Sequence, residues 1–171
     1  MNRLERIKRA LLSVVSGIKN LLYKDYLSTL KGRGSTRTAL TNGFSATTTS
    51  ATGGYGNYAH ILLLETPEWG KTYTVTCNIE ASLSGMSSTM RVGWVRTGSY
   101  SWSDFKLIEV DSSGNYSLTF TLPDTPPDTF TNDLENGGFG GGVRLWFNIQ
   151  RANLGECGTL TVTDIVVNEV E

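Results

Sequence analysis

The chain has 171 residues, of which 39% are hydrophobic, and this length suffices for one domain that buries a core without disulfides or metal ions. Its formal net charge of −1 is unevenly divided, with nine basic and two acidic side chains in residues 1–37 (+7) and six basic and fourteen acidic ones in the remainder (−8). The acidic remainder disfavours nucleic-acid binding by that part of the chain.

Residues 1–31 have the only sustained helical period. Apolar side chains recur at alternating spacings of three and four, the a and d positions of three heptads. These positions are Leu4, Ile7, Leu11, Val14, Ile18 and Leu21. The pattern predicts an amphipathic α-helix that is only marginally stable alone and therefore needs a partner. Leu and Ile mixed at a and d favour a trimer or a higher oligomer over a dimer.

Several partners for this helix remain open. It can associate with its own copies or dock on a larger assembly, fold back on its own domain, or lie on an anionic membrane surface. We favour a homo-oligomer or docking and expect no membrane association. The apolar stretch is too short for a membrane span and lacks a signal-peptide cleavage pattern, so we expect a chain that is not exported.

A polar hinge, GRGSTRT at residues 32–38, is predicted to separate the helix from a β domain over residues 39–171. The strongest strand signal in that domain is GKTYTVTCNIEA, residues 70–81. Its side chains alternate between apolar and polar, the period of two expected of a strand with one buried side. The turn DSSGN is predicted to join residues 105–110 and 116–122 as paired strands.

The same alternation marks the strand over residues 143–151, and β-branched residues mark the last strand, over 159–170. Several short strands separated by turn signals predict an all-β fold, an antiparallel β-sandwich of the jelly-roll type, carrying an N-terminal amphipathic α-helix.

Catalysis finds little support in the sequence, and we expect a protein that is not an enzyme. His60 is the only histidine, and no nucleophile motif of the G-x-S-x-G kind is present. Cys77 and Cys157 lack metal-ligand spacing, and we interpret them as thiols, with no cofactor expected.

Two candidate binding surfaces carry aromatic and polar groups suited to sugar rings and hydroxyls. The first is the outward set of residues 143–151, which comprises Arg144, Trp146, Asn148 and Gln150. The second is a predicted loop tip with Tyr100 and Trp102. Each has a structural alternative: the Pro-rich loop or the N-terminal helix covers Trp146, and the loop-tip aromatics form a subunit contact.

The segments GKTYTVTCNIEA, MRVGW, GNYSLTFTLP, VRLWFNIQ and GTLTVTDIVV together resemble the jelly-roll carbohydrate-binding modules of the family 4/9/22-like group. The resemblance spans residues 40–170 and implies glycan binding on a sheet face or at loop tips. It also implies a structural calcium near the first and last strands, for which Asp164 matches an acidic position. The alternative for Asp164 is a carboxylate bonded to a neighbouring backbone amide at a bulge.

A stand-alone module of this kind behind a coiled-coil-like leader resembles a tailed-bacteriophage virion component. The resemblance implies a non-enzymatic capsid-decoration, head-fibre or tail protein, assembled in the host cytoplasm into a phage particle. Its β domain is expected to contact host or mucosal glycans. The alternatives are a stand-alone glycan-binding module and an accessory domain of a glycoside hydrolase.

Overall fold

The computed structural model describes residues 20–48, 57–83, 86–97, 101–134, 140–151 and 158–170. In these residues the chain forms a short 3-10 helix, Tyr26–Thr29, and ten β-strands. The strands are β1 Lys31–Arg33, β2 Ser35–Leu40, β3 Gly43–Thr48, β4 Tyr58–Leu64, β5 Thr72–Ser82, β6 Met86–Val95, β7 Trp102–Val110, β8 Gly114–Thr121, β9 Val143–Arg151 and β10 Thr159–Glu169.

The strands form two antiparallel sheets of five strands each, which confirms the predicted all-β sandwich. Sheet A has the order β1-β4-β9-β6-β7, and sheet B has the order β2-β3-β10-β5-β8. The predicted alternation of β5 holds, since Tyr73, Val75, Cys77 and Ile79 are all buried between the sheets. The apolar set of β9 also faces the core. Strand β4 differs, because all seven of its residues are buried, on both faces of sheet A.

Residues 20–31 do not continue the α-helix predicted over residues 1–31. The backbone N–H of Leu21 donates to the carbonyl of Val167 at 2.8 Å, and that of Tyr23 donates to the carbonyl of Leu63 at 3.0 Å. This segment therefore bonds to β10 of sheet B and to β4 of sheet A, and Leu21 packs against the domain's own core. Bonds to two sheets replace helical bonds here, and they bring the apolar side chains of this segment against the core.

For residues 20–30, the fold-back alternative is the one that the structure shows, and Leu21 is not free for docking. The other predicted docking positions, Leu4, Ile7, Leu11, Val14 and Ile18, lie outside the described residues. In the part of the chain that the structure describes, no helix has the length and hydropathy of a membrane span.

The predicted hinge, residues 32–38, is largely strand. β1 pairs with β4 in sheet A, whereas β2 pairs with β3 in sheet B. Gly34, with a φ of 62°, forms the corner at which the chain passes from one sheet to the other. A Cβ on Gly32 would lie 2.2 Å from the carbonyl oxygen of Tyr58, so this glycine allows close strand approach. These glycines mark a corner of the sandwich and not a linker.

The predicted pairing of residues 105–110 with 116–122 is wrong. Strand β7 pairs with β6 in sheet A, and β8 pairs with β5 in sheet B. The apolar side chains of both strands must reach the same core, as Ile108 does from one side and Leu118 from the other. The short turn between them therefore carries the chain across the sandwich.

Candidate functional site

The outer face of sheet A, the side turned away from sheet B, carries most of the aromatic and polar side chains that the sequence singled out. Cross-strand partners share a face of a sheet, so the pairing registers place these residues side by side. The face includes Tyr58 and His60 of β4, Arg144, Trp146 and Asn148 of β9, Thr89, Arg91, Gly93 and Val95 of β6, and Trp102 and Asp104 of β7.

Four rings on this face form a continuous cluster, the aromatic layer: Tyr58, His60, Trp146 and Trp102. The ring centroid of Trp146 lies 4.1 Å from that of Tyr58, 4.7 Å from that of His60 and 4.2 Å from that of Trp102. The planes of Trp146 and His60 differ by only 7°. Trp102 reaches Trp146 across β6, and Val95, the partner of Trp102 on β6, packs in the same cluster.

Arg144 is buried at one end of the aromatic layer, with 1% of its surface exposed. Its Nε donates to the carbonyl of Gly141 at 3.0 Å, and its Nη1 donates to the carbonyl of Thr29 at 3.4 Å and to Nδ1 of His60 at 3.0 Å. Burial lowers the pKa of Arg144 to about 10, so the guanidinium stays charged at neutral pH. No carboxylate of the described residues lies within 4 Å of it.

The backbone at Gly140 makes room for this guanidinium. Gly140 has a φ of 81°, and a Cβ there would lie 2.2 Å from Nη2 of Arg144. Only glycine combines this backbone conformation with such close approach. Gly140 thus makes room for a buried cation at the site.

His60 is fully buried and has one unpartnered nitrogen. A guanidinium only donates hydrogen bonds, so Nδ1 of His60 is the acceptor and the ring proton resides on Nε2. In the described part of the chain, three buried side-chain atoms lack hydrogen-bond partners: Nε2 of His60 and Oγ1 of Thr89 on this face, and Oδ1 of Asn168. Burial, followed by the positive charges of Arg144, Lys31 and Arg37, holds the pKa of His60 well below its ordinary value of 6.5.

We expect His60 to make the domain less stable in mild acid. The unfolded chain takes up a proton near pH 6.5, whereas the folded ring stays neutral to much lower pH. This contribution to stability is therefore fully present above pH 6.5 and is lost toward the folded pKa, by up to about 1.4 kcal/mol per pH unit. Urea unfolding from pH 7.5 downward checks it, with His60→Gln expected to remove this component of the slope. An NMR titration in which the folded ring protonates near pH 6.5 would contradict the prediction.

Trp102, Asp104 and Arg91 form the accessible end of the face. Oδ1 of Asp104 accepts from Nε of Arg91 at 2.9 Å and from the indole Nε1 of Trp102, while Oδ2 accepts from Nη2 of Arg91. The Arg91 and Asp104 side chains are 23% and 22% exposed, and Trp102 is half-buried. A flat ring thus lies beside a bidentate ion pair at the edge of the sheet.

The predicted surface set occupies the expected face, but it is not a free surface. Arg144, Trp146 and Asn148 are 1%, 6% and 6% exposed, and Oδ1 of Asn148 accepts from the indole Nε1 of Trp146. Rings from neighbouring strands cover Trp146, and these strands were not known to be adjacent from the sequence. The side chain of Gln150 lies outside the described part.

The two surfaces predicted separately are connected. Trp102 belongs to β7 and not to a loop tip, and it contacts Trp146 directly. Tyr100 lies outside the described residues. Sequence reasoning missed Tyr58 and His60, although their alternation with Ala59 and Ile61 was the signal that placed them on one face.

Asp164 lies at a bulge of β10 with a φ of 54°, where the pairing with β5 shifts register. Its Oδ1 accepts from Nδ2 of Asn42 at 2.9 Å. No group of three or more His, Cys, Asp or Glu side chains suited to a metal ion occurs in the described residues. The carboxylate therefore acts as a bulge partner of Asn42. Cys77 is a buried free thiol whose pKa burial raises to about 12, and Cys157 lies outside the described residues.

No protein-family model matches the sequence, and no curated protein matches it. Several solved structures do match this chain. A CBM4 structure matches with a TM-score of 0.56 at 16% identity, covering 85% of this chain and 98% of that one. The N-terminal cellulose-binding domain of Cellulomonas fimi β-1,4-glucanase C matches with a TM-score of 0.56 at 18% identity, covering 83% and 88%.

A third match is the CBM22-1–GH10 part of Clostridium thermocellum xylanase 10B, complexed with xylohexaose. Its TM-score is 0.54 at 8% identity, and the match covers 90% of this chain and 28% of that one. These similarities define the class of fold: the chain is a β-sandwich of the carbohydrate-binding-module type.

Proposed function

We propose that this protein is a non-enzymatic glycan-binding protein whose outer face of sheet A takes its ligand at the Trp102 end. The observation that carries the proposal is the half-buried indole of Trp102, held by Asp104 and Arg91 beside it. Sugar rings present C–H faces that pack on an indole, and their hydroxyls suit carboxylate and guanidinium groups.

Trp102, Asp104 and Arg91 form a platform whose side chains are already ordered before a ligand binds, and this order favours binding. The ring of Trp102 is fixed on one side by Trp146 and through its Nε1 by Asp104. A side chain that is already ordered loses little entropy when a ligand binds. The solved structures with the same fold include a cellulose-binding domain and a CBM22-1 module from a xylanase, which supports a glycan as the ligand class.

The only histidine of the chain gives no support for catalysis. His60 is fully buried, and Nδ1, its acceptor nitrogen in the neutral ring, is occupied by Arg144. A general base needs reach to a substrate proton.

Trp102→Ala is expected to weaken glycan binding by about 2 kcal/mol, roughly thirtyfold in Kd, because a ring at the centre of a binding site dominates its energetics. Array screening of xylans, β-glucans and bacterial surface polysaccharides identifies the ligand, and calorimetry measures the loss. Thr119→Ala, an exposed change on the outer face of sheet B, is the control and should bind as the wild type does. A wild-type protein that binds none of these glycans would refute the proposal.

We further propose that residues 1–19 anchor the protein, as a homotrimer or on a phage particle, and display the β domain outside a virion. The support is the heptad pattern and basic charge of those residues. The test compares the mass in solution of the full chain with that of a chain starting at Asn20, since residues 20–30 belong to the domain. We expect the full chain to be trimeric and the shorter chain monomeric. Two monomers would exclude self-association.

A further inference from the structure

We infer that the glycan bound on the outer face of sheet A is anionic, with its acidic groups held by Lys31 and Arg33 at the β1 edge of that face. This inference rests on the proposed function and specifies the ligand class for the same site. It assigns a role in binding to the β1 edge of the face, which lies at the opposite side of sheet A from Trp102.

The pairing of β1 places both cations on this face. Lys31 lies opposite His60, and Arg33 lies opposite Tyr58. Cross-strand partners point to the same side of a sheet, so both cations extend the face beyond the aromatic layer. Arg33 is exposed and Lys31 half-buried, so both can reach a ligand in solvent.

In the part of the chain that the structure describes, no acidic side chain forms an ion pair with these cations. The ion pairs in the described residues are Lys71 with Glu169 and Arg91 with Asp104, so no described carboxylate lies within 4 Å of Lys31, Arg33 or Arg37. Nζ of Lys31 donates to the carbonyl oxygen of Leu134 at 3.5 Å. Positive charge without a described acidic partner therefore gathers at one edge of a domain whose residues 38–171 carry a net charge of −8.

The ionisable groups of β4 respond to this positive charge. Lys31 and Arg37 both contribute to lowering the pKa of His60, after burial and Arg144. Burial raises the pKa of Tyr58, and the charges of Arg33 and Arg37 oppose that rise. The field of the basic edge thus extends across the face as far as the aromatic layer.

The two edges of the face differ in charge. At the β7 edge Asp104 is paired with Arg91, which leaves a platform suited to a neutral ring. At the β1 edge the cations suit carboxylate, sulfate or phosphate groups. Four strand spacings separate the edges, about 19 Å, which fits an oligosaccharide and exceeds a single sugar.

Single-stranded nucleic acid also combines aromatic stacking with anionic groups. It fits this face less well, because Tyr58 and Trp146 are only 7% and 6% exposed and cannot serve as successive stacking platforms. Nucleic acid is therefore an outcome for the test to exclude.

The experiment measures binding of polygalacturonate, chondroitin sulfate, a phosphate-bearing teichoic acid, neutral xylan and a 20-nucleotide DNA strand to the full chain at low and high salt. The test variant is Lys31→Gln with Arg33→Gln. The matched control is Lys24→Gln with Lys106→Gln, which makes the same charge change at two exposed lysines away from the β1 edge. The carboxylated, sulfated and phosphorylated probes distinguish the possible sources of the anionic group.

We expect at least one acidic polysaccharide to bind better than xylan and to weaken with salt. The test variant should reduce that binding by about tenfold or more, and the control by less than about twofold. The inference would be overturned if no acidic polysaccharide bound better than xylan, and if xylan binding depended on Trp102 but were unchanged in the test variant. That result would leave the proposed function standing. Binding of no glycan would overturn both the inference and the proposed function. Preferential binding of the DNA strand would overturn the inference and identify nucleic acid as the ligand.

Discussion

Arg144→Met should lower the free energy of unfolding by about 2–5 kcal/mol. The substitution removes a charged donor from the carbonyls of Gly141 and Thr29 and from Nδ1 of His60. Hydrogen bonds to a charged group contribute about 1.5–3 kcal/mol each. The cost of burying the charge, which lowers the pKa to about 10, offsets about 3 kcal/mol of their sum, so the hydrogen bonds prevail.

Urea denaturation measures this effect, and Arg33→Met is the matched control. Arg33 lies on the same face but is exposed, so its replacement should change stability by less than about 0.5 kcal/mol. Equal stabilities for the two variants would mean that the guanidinium of Arg144 is solvated, contrary to its 1% exposure.

The sequence predicted which side chains share a face but not which strands are neighbours. The alternation in β5 and β9 depends only on the geometry of one strand, and it placed Trp146 on the face opposite Phe147 correctly. The contact of Trp102 with Trp146 depends on β6 lying between β7 and β9. Sheet order is set by the packing of the whole domain, which no local pattern contains.

The unknown sheet order also explains why Trp146 was predicted to be exposed but is buried in the structure. A Trp flanked by polar residues on an outward face indicates a binding surface when the strand is considered alone. Here Tyr58 and His60 come from β4, more than eighty residues earlier, and they cover the indole. The accessible ring of the face belongs to Trp102, on the next strand but one.

Heptad spacing was similarly incomplete evidence for residues 20–31. The apolar positions of an amphipathic segment require burial, but they do not specify the surface that buries them. At Leu21 that surface is the domain itself, because the edge of β10 offers the carbonyl of Val167 and the N–H of Val167 bonds to the side chain of Asn20. The glycines at residues 32 and 34 indicated flexibility in sequence terms, whereas in the fold they permit close approach and a corner.

Trp146→Ala should lower the free energy of unfolding by about 3–5 kcal/mol, since it leaves a large cavity at the centre of the aromatic layer. Three rings lose their common partner, and Oδ1 of Asn148 loses the indole donor. Trp146→Phe retains an apolar ring and should cost less than half as much. Thermal or urea unfolding of both variants measures the difference.

This expectation decides how glycan binding is to be tested. If Trp146→Ala abolished binding, the loss would follow from disruption of the face and would say nothing about direct contact with a sugar. Trp102→Ala removes the half-exposed ring while leaving Tyr58 and His60 stacked on Trp146, so it separates contact from stability. Should Trp146→Ala instead retain wild-type stability and lose only binding, Trp146 would be a contact residue and its burial a property of the unliganded face.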